Sequence, residues 1–462
     1  MNLHDDKQQN IQMQLDFSTK RMGEACAGKR EEPESSGARK EPESPAKTDR
    51  LMEEICEWNN LKGALQQVRA NKGSPGIDGM TVEQLPGYPQ LVPIRERLLN
   101  GTYEPQPVRR VEIPKPDGGV RQLGIPTVLD RFVQHAVMQV LEKQWEPTFS
   151  ESSYGFRPER SAHQAVARAQ EYLREGYGWV VDLDLEKFFD QVNHDRLMAV
   201  IAKRVEDKRV LRVIRAFLKA GVMENGLVSP TVEGTPQGGP LSPLLSNIVL
   251  DELDRELEAR RLRFVRYADD CNIYVRSGRA GHRVMESVKR FITKRLKLKV
   301  NEAKSAVARP QLRKFLGFSF KAGSEVRRRI APKAIERFKD RVREITSWAK
   351  SVSMETTMAT LASYLVGWRG YFGFCETPEV LKDLDGWVRR RLRAAQWRQW
   401  KTRRRRRAAL IQLGVRGQLA ASTAGSTRGP WHLARTKALC IALSNAYFRS
   451  RGLPSLVAAS RQ

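Results

Sequence analysis

The 462-residue chain has only five cysteines, scattered at Cys26, Cys56, Cys271, Cys375 and Cys440, with no Cys-x-x-Cys pair and no nearby paired histidines. That distribution argues against a disulfide scaffold, a zinc finger or a Cys/His zinc nuclease domain. No apolar run approaches the roughly 18 residues that would read as a membrane span, and the start lacks the charged-then-apolar pattern of a signal peptide. A cytoplasmic protein that uses neither membrane nor zinc is expected. Acidic residues are also in deficit: 53 Asp or Glu stand against 81 Lys or Arg, a net charge of +28, with a pI near 10.2. Yet 40% of the residues are hydrophobic, enough for a real core. The chain is a folded basic protein whose first-choice partner is a polyanion. At roughly 100–200 residues per domain its length fits two to four domains.

Residues 1–50 are polar and nearly neutral, with a short duplication, Glu32-Pro33-Glu34-Ser35 and Glu41-Pro42-Glu43-Ser44. Such a stretch buries too little apolar surface to offset its ordering entropy, and a disordered leader is expected. From Leu51 the pattern Leu51, Ile55, Trp58, Leu61, Leu65, Val68 predicts a helical start, followed by a Gly/Pro loop over residues 73–79. Strand-like segments and helices mix up to about residue 320. Beyond Phe320 the chain turns helical: Ile335, Phe338, Val342, Ile345 and Ala349, then Leu381, Leu384, Val388, Leu392 and Ala395, recur at helical spacing. The window from Trp387 to Arg407 holds 11 Arg or Lys and no acid, with Trp387, Trp397 and Trp400 among them. A charge run is often just a solvated face; this density, ending in Arg403, Arg404, Arg405, Arg406 and Arg407, favours nucleic-acid contact.

Val180-Val181-Asp182-Leu183-Asp184-Leu185 alternates as a strand, with Asp182 and Asp184 on the face opposite Val181, Leu183 and Leu185. Phe264-Val265-Arg266-Tyr267 and Cys271-Asn272-Ile273-Tyr274-Val275 read as two strands joined by a turn of Ala268, Asp269 and Asp270. Two adjacent carboxylates at a hairpin tip, facing a third on another strand, are the hard oxygen donors that two-metal phosphoryl transfer requires. By itself an Asp-Asp pair is more often a solvated turn.

The sequence Tyr267-Ala268-Asp269-Asp270, with Asp184 and an aromatic five residues after it, Phe189, resembles the palm of a reverse transcriptase. An ordered series extends the resemblance: Ile113-Pro114-Lys115-Pro116, Arg121-Gln122-Leu123-Gly124-Ile125-Pro126, Ser153-Tyr154-Gly155-Phe156-Arg157-Pro158, residues 234–243, residues 300–305 and Phe315-Leu316-Gly317-Phe318. The series is similar to bacterial group II intron-encoded reverse transcriptase/maturases, nearest the compact group IIC type without an endonuclease domain. Retron, diversity-generating and domesticated repair-associated enzymes are the runners-up, and an RNA-binding splicing cofactor with little polymerase use is the alternative from the binding class.

The resemblance implies an α/β right-hand polymerase, with fingers and an antiparallel palm sheet, followed by an α-helical thumb and a basic helical C-terminal region. The corresponding expected divisions are a leader at 1–50, fingers and palm with an N-terminal lid at 51–325, the thumb at 326–400 and a DNA-binding region at 401–462. It assigns Asp184, Asp269 and Asp270 to two Mg²⁺ ions and Lys304 to protonating the leaving pyrophosphate. Lys115, Arg121, Phe189 and Gln237 are assigned to the incoming deoxynucleoside triphosphate, with Phe189 as the gate against a 2′-hydroxyl and Phe188 as its core partner. Gly76, Gly79, Arg157 and Arg403 to Arg407 are assigned to template or other nucleic acid. Asp182 is set aside, because the five-residue spacing to the aromatic selects Asp184; Trp368 and Tyr371 read as helix-packing core. The implied partners are a host group II intron RNA, an RNA template with its DNA primer, and target DNA, met at the nucleoid.

Overall fold

The computed structural model describes residues 50–457 except 86, 115–118, 225–226, 230–233, 235–237, 322–324 and 348–351. The expected leader, but for Arg50, lies outside the described residues, as do Lys115, Gln237 and Ala349. The chain forms two compact units, Met1–Ala308 and Arg309–Gln462.

The first unit opens with α1 (Leu51–Ile55) and α2 (Trp58–Asn71), where the apolar spacing predicted a helical start. The break at Cys56–Glu57 is stabilised from outside: Asn60 Nδ2 donates to the Ile55 carbonyl and Arg95 Nε to the Cys56 carbonyl, both at 2.9 Å. It turns Trp58 outward, 42% exposed, beneath the Arg95 guanidinium. There follow α3 (Tyr88–Leu99), the hairpin β1 (Val108–Pro114) and β2 (Val120–Ile125), and α4 (Val128–Trp145). Thr127 caps α4, its hydroxyl accepting from the Asp130 amide at 3.1 Å. Phe132, Val133, Ala136, Val137, Val140 and Leu141 of α4 are almost wholly buried.

Next come α5 (Ala162–Arg174), β3 (Trp179–Leu183), α6 (Phe188–Gln191), α7 (His194–Ile201) and α8 (Lys208–Lys219). The short β4 (Val222–Glu224) and β5 (Leu227–Ser229) lead to α9 (Ser242–Ala259), the hairpin β6 (Arg263–Tyr267) and β7 (Asp270–Val275), α10 (Gly278–Phe291) and β8 (Ala306–Ala308). One sheet has the order β6-β7-β3-β8, antiparallel throughout; another is β2-β1-β4-β5, with β1 and β4 parallel. Both faces of the first sheet are covered. Tyr172 of α5 meets Tyr274 at 5.7 Å between ring centroids, while Gly281 of α10 lies so close to Val307, Val275 and Val181 that a Cβ there would stand 2.5 Å from Val307.

The second unit begins with the hairpin β9 (Phe318–Lys321) and β10 (Arg327–Ile330) and is otherwise helical: α11 (Pro332–Ile345), α12 (Met354–Phe372), α13 (Pro378–Gln399), α14 (Arg403–Gln412), α15 (Gly417–Ala424), α16 (Pro430–Leu433), α17 (Lys437–Ala442) and α18 (Asn445–Ser450). The residues picked out by spacing, Phe338, Val342, Ile345, Leu381, Leu384, Val388 and Leu392, are its core, and Trp368 joins them. Trp397 and Trp400, which interrupt the basic run, are core as well. Among the described residues no helix is long and apolar enough to cross a membrane.

Candidate active site

The register of the first sheet brings the expected acids together. Leu183 pairs with Cys271 and Tyr267 with Asp270. One step past the Leu183–Cys271 pair, Asp184 therefore reaches the level of the β6–β7 tip that carries Asp269 and Asp270. Asp182, paired with Asn272, stays inside the sheet. Asp269 is half-buried and Asp270 exposed. Burial, and after it the like charge of Asp184, lifts the Asp269 carboxyl above the ordinary aspartate range, while Arg121 and Arg266 pull the other way through space. Arg121 on β2 thus stands within electrostatic reach of the acidic tip.

Asp184 is gripped by the segment that follows α10. Its amide donates to the Ser305 hydroxyl oxygen at 3.0 Å, and its carbonyl accepts from the Asn301 amide at 2.8 Å. The same segment carries Lys304, whose Nζ lies 3.8 Å from Asp184 Oδ2 while the side chain stays 66% exposed. A lysine that sequence alone could not distinguish from a solvated cation stands beside the acid.

Phe189 sits on α6 just past a left-handed turn at Lys187 (φ 44°). Phe188 is buried and Phe189 half-buried, the rings edge-on at 5.3 Å. Beside them passes the Gly/Pro loop: Gly234, at φ +95°, lies so near that a Cβ would stand 2.8 Å from the Phe189 carbonyl oxygen. The Gly234 amide donates to the Val192 carbonyl at 2.8 Å, and the buried His194 ring holds the Gly234 carbonyl through Nε2 at 2.6 Å. At the other end Gly238 (φ +121°) presses on the Gly124 carbonyl of β2. The two glycines bracket Gln237 in sequence. The 73–79 loop packs on the start of α4: a Cβ on Gly76 would meet Thr127 Cα at 2.6 Å, and Arg131 Nη2 donates to the Ser74 carbonyl at 2.6 Å. Gly79, at φ +70°, faces open space.

Arg157 departs from its assignment. Its guanidinium, expected on a nucleic-acid phosphate, is buried and committed to Glu146 at 2.8 Å and to the Ser150 and Ser153 carbonyls at 2.5 and 2.8 Å. With its donors taken by those acceptors, it knits the chain from 146 to 157 together. Arg403 to Arg407 form the first turns of α14, in the second unit, with Thr402 as cap. Arg406 is half-buried over the Trp397 ring at 4.7 Å and the other four are exposed. None of the five is ion-paired with an acid among the described residues.

Sequence reasoning missed Arg266, Asn247, Ser153, His194 and Ser305. One signal was available: a charge in the middle of the apolar strand Phe264-Val265-Arg266-Tyr267 requires a buried partner. As to metals, no group of three or more His, Cys, Asp or Glu that could hold an ion gathers among the described residues. Asp184 and the half-buried Asp269 nevertheless fit Mg²⁺, which takes one or two carboxylates and completes its shell with water and substrate phosphate. A cation would also relieve the like-charge repulsion between them.

Two family models match the chain: reverse transcriptase (RNA-dependent DNA polymerase) over residues 113–320, and the group II intron maturase-specific domain over residues 335–411. Protein YkfC of Escherichia coli K12 is 42% identical over 221 residues, 46% of this chain and 58% of that protein. The group II intron-encoded protein LtrA of Lactococcus lactis subsp. cremoris is 40% identical over 206 residues, 44% of this chain and 34% of LtrA. The putative COX1/OXI3 intron 2 protein of Saccharomyces cerevisiae is 32% identical over 212 residues, 45% of this chain and 25% of that protein. The matches thus span less than two thirds of each relative. With the acid-bearing sheet inside the first matched segment and the helices α12 and α13 inside the second, the chain belongs to the family of group II intron-encoded reverse transcriptases and maturases.

Proposed function

We propose that the protein is an RNA-directed DNA polymerase that extends a DNA 3′ end on an RNA template and, as a maturase, assists splicing of a host group II intron RNA. The observation that carries the reading is the placement of Asp184 and Asp269 at one end of the β6-β7-β3-β8 sheet, near enough for the charge of Asp184 to raise the Asp269 carboxyl, with Lys304 beside Asp184. In this reading that sheet with its helices is the palm, the β1–β2 hairpin belongs to the fingers, and α11 to α13 form the thumb. The functional divisions remain 51–325, 326–400 and 401–462. The finer kinship to the group IIC type rests on the motif series.

Asp184 and Asp269 hold the metals, and Asp270 contributes charge from the exposed side of the turn. When bound, two Mg²⁺ ions activate the primer hydroxyl and stabilise the leaving phosphate charge. Arg121 engages the triphosphate by its planar fork, and Lys115 by point charge. Lys304, 66% exposed, delivers a proton to the departing pyrophosphate. Phe189 packs against the sugar where a 2′-hydroxyl would stand. Gln237, between Gly234 and Gly238, contacts the nascent pair, and the loop through Gly76 and Gly79 covers the template. Arg403 to Arg407 contact phosphates of intron RNA or target DNA.

A second reading, an RNA-binding splicing cofactor with little polymerase use, draws on the basic second unit. One experiment separates them. Purified protein given an RNA template, an annealed DNA primer, deoxynucleotides and Mg²⁺ is expected to make template-length DNA that EDTA prevents. Tight intron binding without any product overturns the polymerase reading.

A further inference from the structure

Arg266 is wholly buried, and each of its five N–H donors has an acceptor. Nε donates to Asp254 Oδ1 at 2.7 Å and Nη2 to Asp254 Oδ2 at 2.5 Å; Nη2 also reaches the Ser153 hydroxyl at 2.7 Å. Nη1 donates to Asn247 Oδ1 at 3.0 Å and to the Ala268 carbonyl at 2.9 Å. A guanidinium has no further donor to offer.

The last of those acceptors matters most. Ala268 sits at φ 54°, in the left-handed region, directly before Asp269. An alanine there is strained, and a fixed hydrogen bond to its carbonyl holds the peptide that sets the direction of the next residue. The same network clamps the turn from the side. Asn247 Nδ2 donates to the Gly155 carbonyl at 2.9 Å, the Tyr154 amide donates to the Arg266 carbonyl at 2.9 Å, and a Cβ on Gly155 would stand 2.1 Å from the Ala268 nitrogen. The segment 153–155 therefore lies flush against the turn.

A buried ion pair is weak evidence of stabilisation, because desolvation offsets its attraction and a well-packed apolar pair is often as stable. Something other than stability has to account for a fully saturated Arg266. We propose that the Arg266–Asp254 pair is a positioning device, which fixes the Ala268 carbonyl and the flush segment 153–155 so that Asp269 presents its carboxylate toward Asp184. Arg266 and Asp254 are both wholly buried and act on the site only through the turn. The inference deepens the polymerase reading and rests on it in its activity arm alone.

The test replaces the pair with apolar residues of similar volume, Arg266→Met with Asp254→Leu, in the full chain. Mn²⁺, a paramagnetic substitute for Mg²⁺, is titrated and its free signal read by electron paramagnetic resonance. An Asp184→Asn/Asp269→Asn protein supplies the background. The apolar pair is expected to melt near the wild-type temperature and to lose about 10- to 100-fold in specific Mn²⁺ affinity, the range typical of groups that orient metal ligands. The Mg²⁺ half-saturation of primer extension should rise in parallel, with little change at saturating Mg²⁺. A folded apolar pair with wild-type Mn²⁺ affinity and Mg²⁺ half-saturation would overturn the proposal.

Should that pair not fold, Asn247→Ala serves instead. It keeps the ion pair and removes one of the two acceptors that orient Nη1. A weaker loss in the same direction, at near-normal melting temperature, is expected; unchanged Mn²⁺ affinity counts against the inference. If the wild type binds Mn²⁺ at the acids but makes no DNA, the polymerase reading fails while the positioning inference stands.

Discussion

The two units handle charge in opposite ways. Residues 1–308 carry 48 Lys or Arg against 44 Asp or Glu, while residues 309–462 carry 33 against 9. Most of the +28 thus belongs to the second unit. The arginines differ accordingly: Arg266 in the first unit is wholly buried and fully paired, whereas Arg403, Arg404, Arg405 and Arg407 in the second are exposed. Buried, saturated charge fixes geometry, and exposed charge without acidic neighbours supplies long-range attraction for a polyanion. The comparison teaches that net charge and the proposed chemistry part company: the candidate catalytic acids lie in the nearly neutral unit.

Three substitutions in the first unit would sharpen or break this division, beginning with the largest effect. Asp269→Ala is expected to reduce DNA synthesis to background while leaving RNA affinity nearly intact, because metal ligation and phosphate contact use different groups. Primer extension and filter binding on one preparation check it; loss of both together would merge the two roles. Phe189→Ala should admit ribonucleotides. Fitting an extra hydroxyl against a packed ring costs roughly 1–3 kcal/mol, about 5- to 150-fold in selectivity, and competition between deoxy- and ribonucleotides measures it. Unchanged selectivity moves the gate elsewhere.

The smallest effect is on stability. With its folded-state pKa raised by burial and by Asp184, Asp269 binds its proton more tightly folded than unfolded. Its ionisation therefore lowers stability as the pH climbs from the unfolded pKa through the folded one, and leaves it untouched below the unfolded value. Asp269→Asn should accordingly be more stable than wild type at pH 8 in EDTA, by about 0.5–2 kcal/mol, with the gap closing toward pH 3. A gap that is absent at pH 8, or that widens on acidification, contradicts the sign.

Much of the acidic centre was legible in the sequence because it depends on local pattern. Alternation gave β3 its buried Val181 and Leu183, with Leu185 buried just past its end, and the turn between two apolar runs gave the Asp269–Asp270 tip. Helical spacing likewise gave the cores of α11 and α13. What escaped depends on partners far away in the chain. Arg157 reads like any motif arginine until Glu146 and the Ser150 carbonyl are seen to fill its donors. The break after Ile55 follows from Arg95, 39 residues from the Cys56 carbonyl it engages. His194 and Gly234, 40 residues apart, meet only in the fold. Periodicity assigns a residue to a face; it does not say which distant group waits there.

The division of labour is tested most directly at α14. Replacing Arg403 to Arg407 with Gln should flatten the salt dependence of nucleic-acid binding, by at most about 4.5 in the log–log slope on duplex DNA and about 3.5 on a single strand if all five contact phosphates. Extension of a preannealed primer at saturating protein should persist, while intron binding or target-DNA engagement weakens. An unchanged slope on both intron RNA and duplex DNA would show that the run is only a solvated face, and loss of extension at saturation would show that affinity and chemistry are not separable in this chain.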